Sequence, residues 1–129
     1  MAKRENMKTV FSLKEHQIQN AILDLLAAEH LFAMRINTSG HVIREANGQR
    51  RFLRSHSGGA GVADIVVFIP LHGGAYTSVL WVEVKRPGEK QTPEQASFEE
   101  RVLAENHYYL VAHSSDEVLD WLRHYGVKR

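Results

Sequence analysis

A chain of 129 residues with no cysteine is one domain by size, long enough to bury roughly two-thirds of its unfolded surface, and it holds neither disulfides nor thiolate-bound metal. Its net charge of +1 gives no global argument for a polyanionic partner. The opening MAKRENMKTV is too polar for a signal peptide, and no apolar run approaches the roughly 20 residues of a membrane span, so a soluble, cytoplasmic protein is expected.

Residues 1–11 read as a polar, flexible lead-in. From Ser12 the pattern changes: Leu13, Ile18, Ile22, Leu25, Leu26 and Leu31 recur at helical spacing. Ser12 and Glu15 match an S-x-x-E capping box, which predicts a helix from Leu13 to Glu29 or His30. Phe32–Asn37 is a short strand. Residues 38–60 read as a basic, glycine-rich loop ending in SHSGGAG. Between Arg35 and Arg54, five arginines (Arg35, Arg44, Arg50, Arg51 and Arg54) stand against the single acid Glu45. Charge alone fits an ordinary solvated loop, but the planar arginine fork also binds phosphate oxygens bidentately.

Ile65–Ile69 is a continuous apolar run ended by Pro70, which suits a strand buried on both faces. LHGGAYT is a turn, and Ser78–Lys85 (SVLWVEVK) is the return strand. Thr92 as N-cap, with Pro93 at the first helical position, opens a helix through Ala96, Phe98, Val102 and Leu103. Tyr108–Ala112 is a further strand, and Ser114 with Glu117 caps a last amphipathic helix through Val118, Leu119, Trp121 and Leu122. The order α-β-β-β-α-β-α describes an α/β fold, a mixed β-sheet flanked by helices on both faces.

Three charges interrupt this apolar centre. Folding the hairpin symmetrically about Gly73 and Gly74 sets Asp64 opposite Glu83, about 5 Å away at the backbone, and Lys85 shares the face of Glu83 because side chains alternate. A slip of one residue sends Asp64 to the other face. Two carboxylates this close repel unless a cation joins them, and their hard oxygens suit Mg²⁺ or Mn²⁺, with the Val84 carbonyl as a third ligand. Lys85 then orients an attacking water or stabilises charge on a phosphorane. Spacing alone fits equally well an Asp–Lys or Glu–Lys ion pair facing solvent at a strand end. The eight histidines fall in or beside separate elements and do not read as a zinc site. Trp81 and Trp121 read as core or interface residues.

The ordered set of Glu15, the G-x-x-D of Gly61–Asp64, the E-x-K of Glu83–Lys85 and the T-P-E-Q of Thr92–Gln95 resembles the PD-(D/E)XK nuclease superfamily. More narrowly, it is similar to stand-alone VRR-Nuc domains of the phage or bacterial type. The resemblance implies a restriction-endonuclease-like core over a single domain, 1–129, and a Mg²⁺- or Mn²⁺-dependent endodeoxyribonuclease. Asp64 and Glu83 would be the metal ligands, Lys85 the catalytic lysine and Glu15 an organiser of the metal or its waters. Gln95 would orient Lys85 or a substrate phosphate. Both Glu15 and Gln95 also fit as plain capping residues. The resemblance further implies homodimers acting on branched DNA such as four-way (Holliday) junctions. Arg35, Arg44, Arg50, Arg51, Arg54 and Arg86 are the DNA-binding candidates, and the last helix or the turn at His72–Tyr76 the candidate dimer surfaces. Two positions depart from the pattern: Ala63 stands where a proline usually precedes the first acid, and Arg86 where a glycine often follows E-V-K. A nuclease on linear or single-stranded ends, or a non-catalytic nucleic-acid-binding module, fits the same residues.

Overall fold

The computed structural model describes residues 13–36, 41–44, 46–48, 50–53 and 61–125. The first helix, α1 (Glu15–Ala28), starts two residues later than its hydrophobic pattern does. Lys14 is its N-cap, and the Gln17 side chain accepts the Lys14 N–H at 2.9 Å. Glu15 is therefore the first helical residue and not the third residue of a box closed by Ser12, which lies outside the described residues. At the other end His30 takes a left-handed φ of 59°. The bonds His30 N–H to Ala27 O and Leu31 N–H to Leu26 O, both 2.9 Å, close a Schellman motif.

Strand β1 (Ala33–Arg35) is shorter than the Phe32–Asn37 expected from sequence. The basic segment, expected as a loop, contains an antiparallel hairpin: β2 (His41–Arg44) pairs with β3 (Arg50–Leu53), with Val42 opposite Phe52. Asn47–Gly48 lies in its turn, with Gly48 at φ +85°. An Asn-Gly pair between the β-prone runs HVIR and RRFL was the available signal.

β4 (Ile65–Leu71) runs one residue past Pro70. The even-numbered amides of β4 point toward β1, as Phe68 N–H to Phe32 O at 2.9 Å shows. β1 begins at Ala33, so the missing Pro70 N–H falls where β1 offers nothing to bond. After a 3₁₀ turn at His72–Gly74, β5 (Tyr76–Val84) returns. Helix α2 (Pro93–Ala104) crosses over to β6 (Tyr108–Ala112), and α3 (Ser115–His124) follows. The four-stranded sheet has the order β1-β4-β5-β6, with β5 and β6 parallel and the other pairs antiparallel. This is the mixed α/β sheet expected.

Strand parity divides the molecule. Ile65, Val67 and Ile69 of β4, with Leu80, Val82 and Val84 of β5, face Ile18, Ile22 and Leu26 of α1 and Val118 and Leu122 of α3, and all are buried. The opposite face packs on α2, where Trp81 meets Phe98 edge-on at 5.1 Å and Phe98 meets Tyr109 at 6.3 Å. Trp121 stacks on Tyr125 at 4.3 Å and contacts Tyr108 at 5.2 Å. Among the described residues no helix is long and apolar enough to cross a membrane.

Gly61 joins the approach to β4 onto the first turn of α2. Its φ is +91°, and a Cβ there would lie 2.3 Å from the carbonyl oxygen of Glu94. Both the conformation and the space require glycine. Gly61→Ala is therefore expected to cost about 1–3 kcal/mol from backbone strain, more if α2 cannot yield. The expected readout is a lower urea midpoint at unchanged slope.

Candidate active site

The last ladder pair of the hairpin, Ile65 opposite Val82, sets Asp64 against Glu83 in the next row, as the symmetric turn predicts. Asp64 sits where three strands meet. Its carbonyl accepts the Ile36 N–H at 2.7 Å, and its Oδ2 accepts the Val84 N–H at 2.8 Å. The side chain thus continues the β4–β5 ladder after the main chain of β4 has turned away. Burial pushes the Asp64 carboxyl above its ordinary range, against the pull of the Val84 N–H, Lys85 and Arg35.

Glu83 follows from parity: flanked by core residues Val82 and Val84, it points to the α2 side of the sheet. It is only 3% exposed. Its Oε1 accepts a hydrogen bond from Gln95 Nε2 at 2.8 Å, whereas among the described residues its buried Oε2 has no hydrogen-bond donor. Burial first, then the Asp64 charge, pushes this carboxyl up to about 8, with Lys85 acting in the opposite sense. A buried carboxylate oxygen without a donor is an unfavourable arrangement that a cation relieves.

Lys85 is 8% exposed. Its N–H donates to Ala112 O at 3.0 Å, which fixes the backbone at the end of β5. Among the described residues no carboxylate forms an ion pair with Lys85. The solvent-facing ion pair that the spacing also allowed is therefore not what forms: Glu83 and Lys85 are buried, and the Asp64 and Glu83 carboxyls lie within electrostatic reach of each other and of Lys85.

Gln95 has two roles in one side chain. Thr92 caps α2, accepting the Gln95 N–H at 3.2 Å, while Gln95 Oε1 accepts the Thr92 N–H at 2.8 Å. The same amide's Nε2 is then aimed at Glu83. The resemblance implies Lys85 or a substrate phosphate as the group Gln95 orients; the hydrogen bond its Nε2 makes here is to Glu83. Glu15 reaches the group from the first turn of α1. Its carboxyl is raised by burial first and next by Glu89, with Asp64 and Lys85 also within electrostatic reach.

Glu89 was not foreseen. It follows a turn at Gly88 (φ +88°), and its Oε1 accepts both the Arg86 N–H at 2.6 Å and Arg86 Nε at 3.2 Å. No periodicity marks an acid in such a loop; the R-x-x-E spacing was the only trace. Arg35 stands beside Asp64, its guanidinium bonded to the Asn20 side chain. Arg44 and Arg50 occupy opposing positions on the β2–β3 hairpin, with Arg51 opposite Ile43. Arg54 lies outside the described residues. Also among the described residues, no group of three or more His, Cys, Asp or Glu is gathered as a metal cage.

Neither a family model nor a curated protein matches the sequence. A solved structure described as a VRR_NUC domain superposes with a TM-score of 0.60, at 21% identity, covering 86% of this chain and 96% of that one. This chain has the VRR-Nuc fold. Within the VRR-Nuc fold, Asp64, Glu83 and Lys85 lie together at the end of the central hairpin, with Gln95 and Glu15 brought in by the starts of two helices.

The raised Glu83 pKa carries a stability consequence with a definite sign. The folded state holds this proton up to about pH 8, whereas the ordinary value is 4.5. Between those limits the folded state binds more protons than the unfolded chain, so stability falls as pH rises. Without divalent cations, the thermal midpoint is expected to decline across that window. Glu83→Gln should flatten the decline and melt higher at its alkaline end.

Proposed function

We propose that this chain is a Mg²⁺- or Mn²⁺-dependent endodeoxyribonuclease. The observation that carries the reading is the buried, unpartnered Glu83 Oε2 beside the Asp64 carboxylate. The donor set fits such a cation even without a closed cage. Magnesium is commonly held by one or two carboxylates, with the remaining positions left to water and substrate phosphate. Asp64 and Glu83 would hold it, with the Val84 carbonyl on the same strand edge as the N–H given to Asp64, and Glu15 would order its surroundings. When bound, the cation neutralises the carboxylate pair and supplies the Lewis acidity that phosphodiester hydrolysis requires.

The protein's own groups have separable tasks. Gln95 donates to Glu83 and fixes its orientation. Lys85, buried and without an ion pair among the described residues, offers its ammonium to the negative charge that develops on the attacked phosphate. The substrate is DNA, gripped by Arg35 beside Asp64, by Arg86 beyond Lys85 and by the arginines at 44, 50, 51 and 54. Branched DNA, in particular a four-way junction, is the proposed target. A homodimer acts on it, because two strands must be cut with one centre per chain and two-fold pairing supplies the second.

Wild-type protein with Mn²⁺ is expected to cleave a labelled four-way junction faster than its component duplexes or a single strand. Asp64→Ala and Glu83→Ala should abolish cleavage and the calorimetric Mn²⁺ site while the fold persists. Lys85→Ala should retain the cation and lose about 100- to 1,000-fold in kcat. Hydrolysis surviving in Asp64→Ala would reject the reading. Salt-dependent DNA binding with neither hydrolysis nor a Mn²⁺ site would identify a binding module instead. Equal rates on junction and duplex would remove the branched target, and a monomer in sedimentation with and without DNA would remove the dimer.

A further inference from the structure

The segment leaving β5 holds a second, smaller arrangement immediately after Lys85. Arg86 is half exposed, with its side chain at 47%. Glu89 fastens it twice, the main chain through the Arg86 N–H at 2.6 Å and the guanidinium through Nε at 3.2 Å. Gly88, at φ +88°, turns the chain tightly enough for residue 89 to reach back to 86. Nε is the one guanidinium nitrogen engaged; among the described residues nothing bonds Nη1 or Nη2. The Arg86 main chain and side chain hold Glu89 below the usual carboxylate range, and the Glu15 carboxyl faces it from α1.

A guanidinium bound by Nε alone keeps its terminal amino pair as a preorganised fork, the geometry that binds two oxygens of one phosphate. Without the tether, Arg86 would lose rotamer freedom only on meeting its ligand. We propose that Glu89 is a positioning residue, holding the Arg86 fork against the DNA phosphate next to the one being cleaved. This rests on the nuclease reading above for its substrate and adds to it a residue and a contact. Glu89 touches neither the scissile phosphate nor the attacking water; it acts through Arg86.

The test measures DNA binding in EDTA as a function of salt, and steady-state cleavage with Mn²⁺, for wild type, Arg86→Ala, Glu89→Ala, Glu89→Gln and the double alanine variant. Arg86→Ala should make the slope of log affinity against log salt less steep by about 0.9, the loss of one phosphate contact. Glu89→Ala should raise KM severalfold with kcat nearly unchanged, and the double variant should be no worse than Arg86→Ala. Glu89→Gln, whose amide oxygen still accepts both bonds, should restore most of the affinity. A merely structural role would instead lower the melting temperature without a split between KM and kcat. The proposal is overturned if Glu89→Ala lowers kcat at constant KM, if the two alanine effects add, or if Arg86→Ala leaves the salt slope unchanged. A wild type that binds DNA without cutting it rejects the nuclease reading alone, since the binding series still judges Glu89. A wild type that does not bind DNA overturns both.

Discussion

Two carboxylates, Asp64 and Glu83, are held against each other at the edge of the core, and most of the local structure is organised around tolerating them. The Val84 N–H bonds one oxygen of Asp64, and the Gln95 amide bonds one oxygen of Glu83. The other Glu83 oxygen is buried with nothing. A fold could remove the repulsion by replacing either acid with an apolar residue, and buried charges exchanged in that way are often neutral or stabilising. Keeping both, and satisfying all but one of the strong demands around Glu83, places the residual instability on a single atom.

The sheet topology explains why this happens at one end. β5 and β6 run parallel, so the crossover through α2 returns the chain to the start of β6, and both strands finish at the same edge. Gln95 of α2 lies at that edge, as its bond to Glu83 requires, and Ser114 caps α3 two residues after β6 ends. Glu15 opens α1 within electrostatic reach of Asp64 and Lys85. Two helix starts, those of α1 and α2, therefore reach the carboxylates. Their free N–H groups and positive dipole ends favour anions there, which suits a phosphate approaching an otherwise acidic centre.

Much of this was readable from the residues because it depends on parity and on caps. The alternation in SVLWVEVK divides Leu80, Val82 and Val84 from Trp81, Glu83 and Lys85. The glycine pair in the turn sets the register that brings Asp64 opposite Glu83. The α2 cap was legible because Thr, Pro and Gln each have a local reason to be there. The α1 start was misread because Gln17 supplies to Lys14 the acceptor that Glu15 was expected to supply to Ser12, and two overlapping boxes look alike in sequence. The β2–β3 hairpin was hidden by its charge: arginines within HVIR and RRFL outweighed the Asn-Gly turn between them. Glu89 had no pattern to announce it, since its role depends on the tight turn at Gly88 and on which way Arg86 leaves the strand.

Gly61 shows that the two halves of the site are not independent. It lies three residues before Asp64 and packs its Cα against the Glu94 carbonyl, one residue before Gln95. The spacing between β4 and α2 is thus fixed by backbone contact with no side chain between. Asp64 continues one of these segments and Gln95 continues the other, so the contact sets the distance over which Gln95 reaches Glu83 while Asp64 faces it. A displacement of α2 by the width of one methyl group would lengthen the Gln95–Glu83 bond beyond hydrogen-bonding range and leave a second carboxylate oxygen unpartnered. The cost would rise with each unpartnered oxygen. The close approach at Gly61 therefore limits the unpartnered carboxyl oxygens of the site to one among the described residues, which is the condition under which the rest of the fold can carry it.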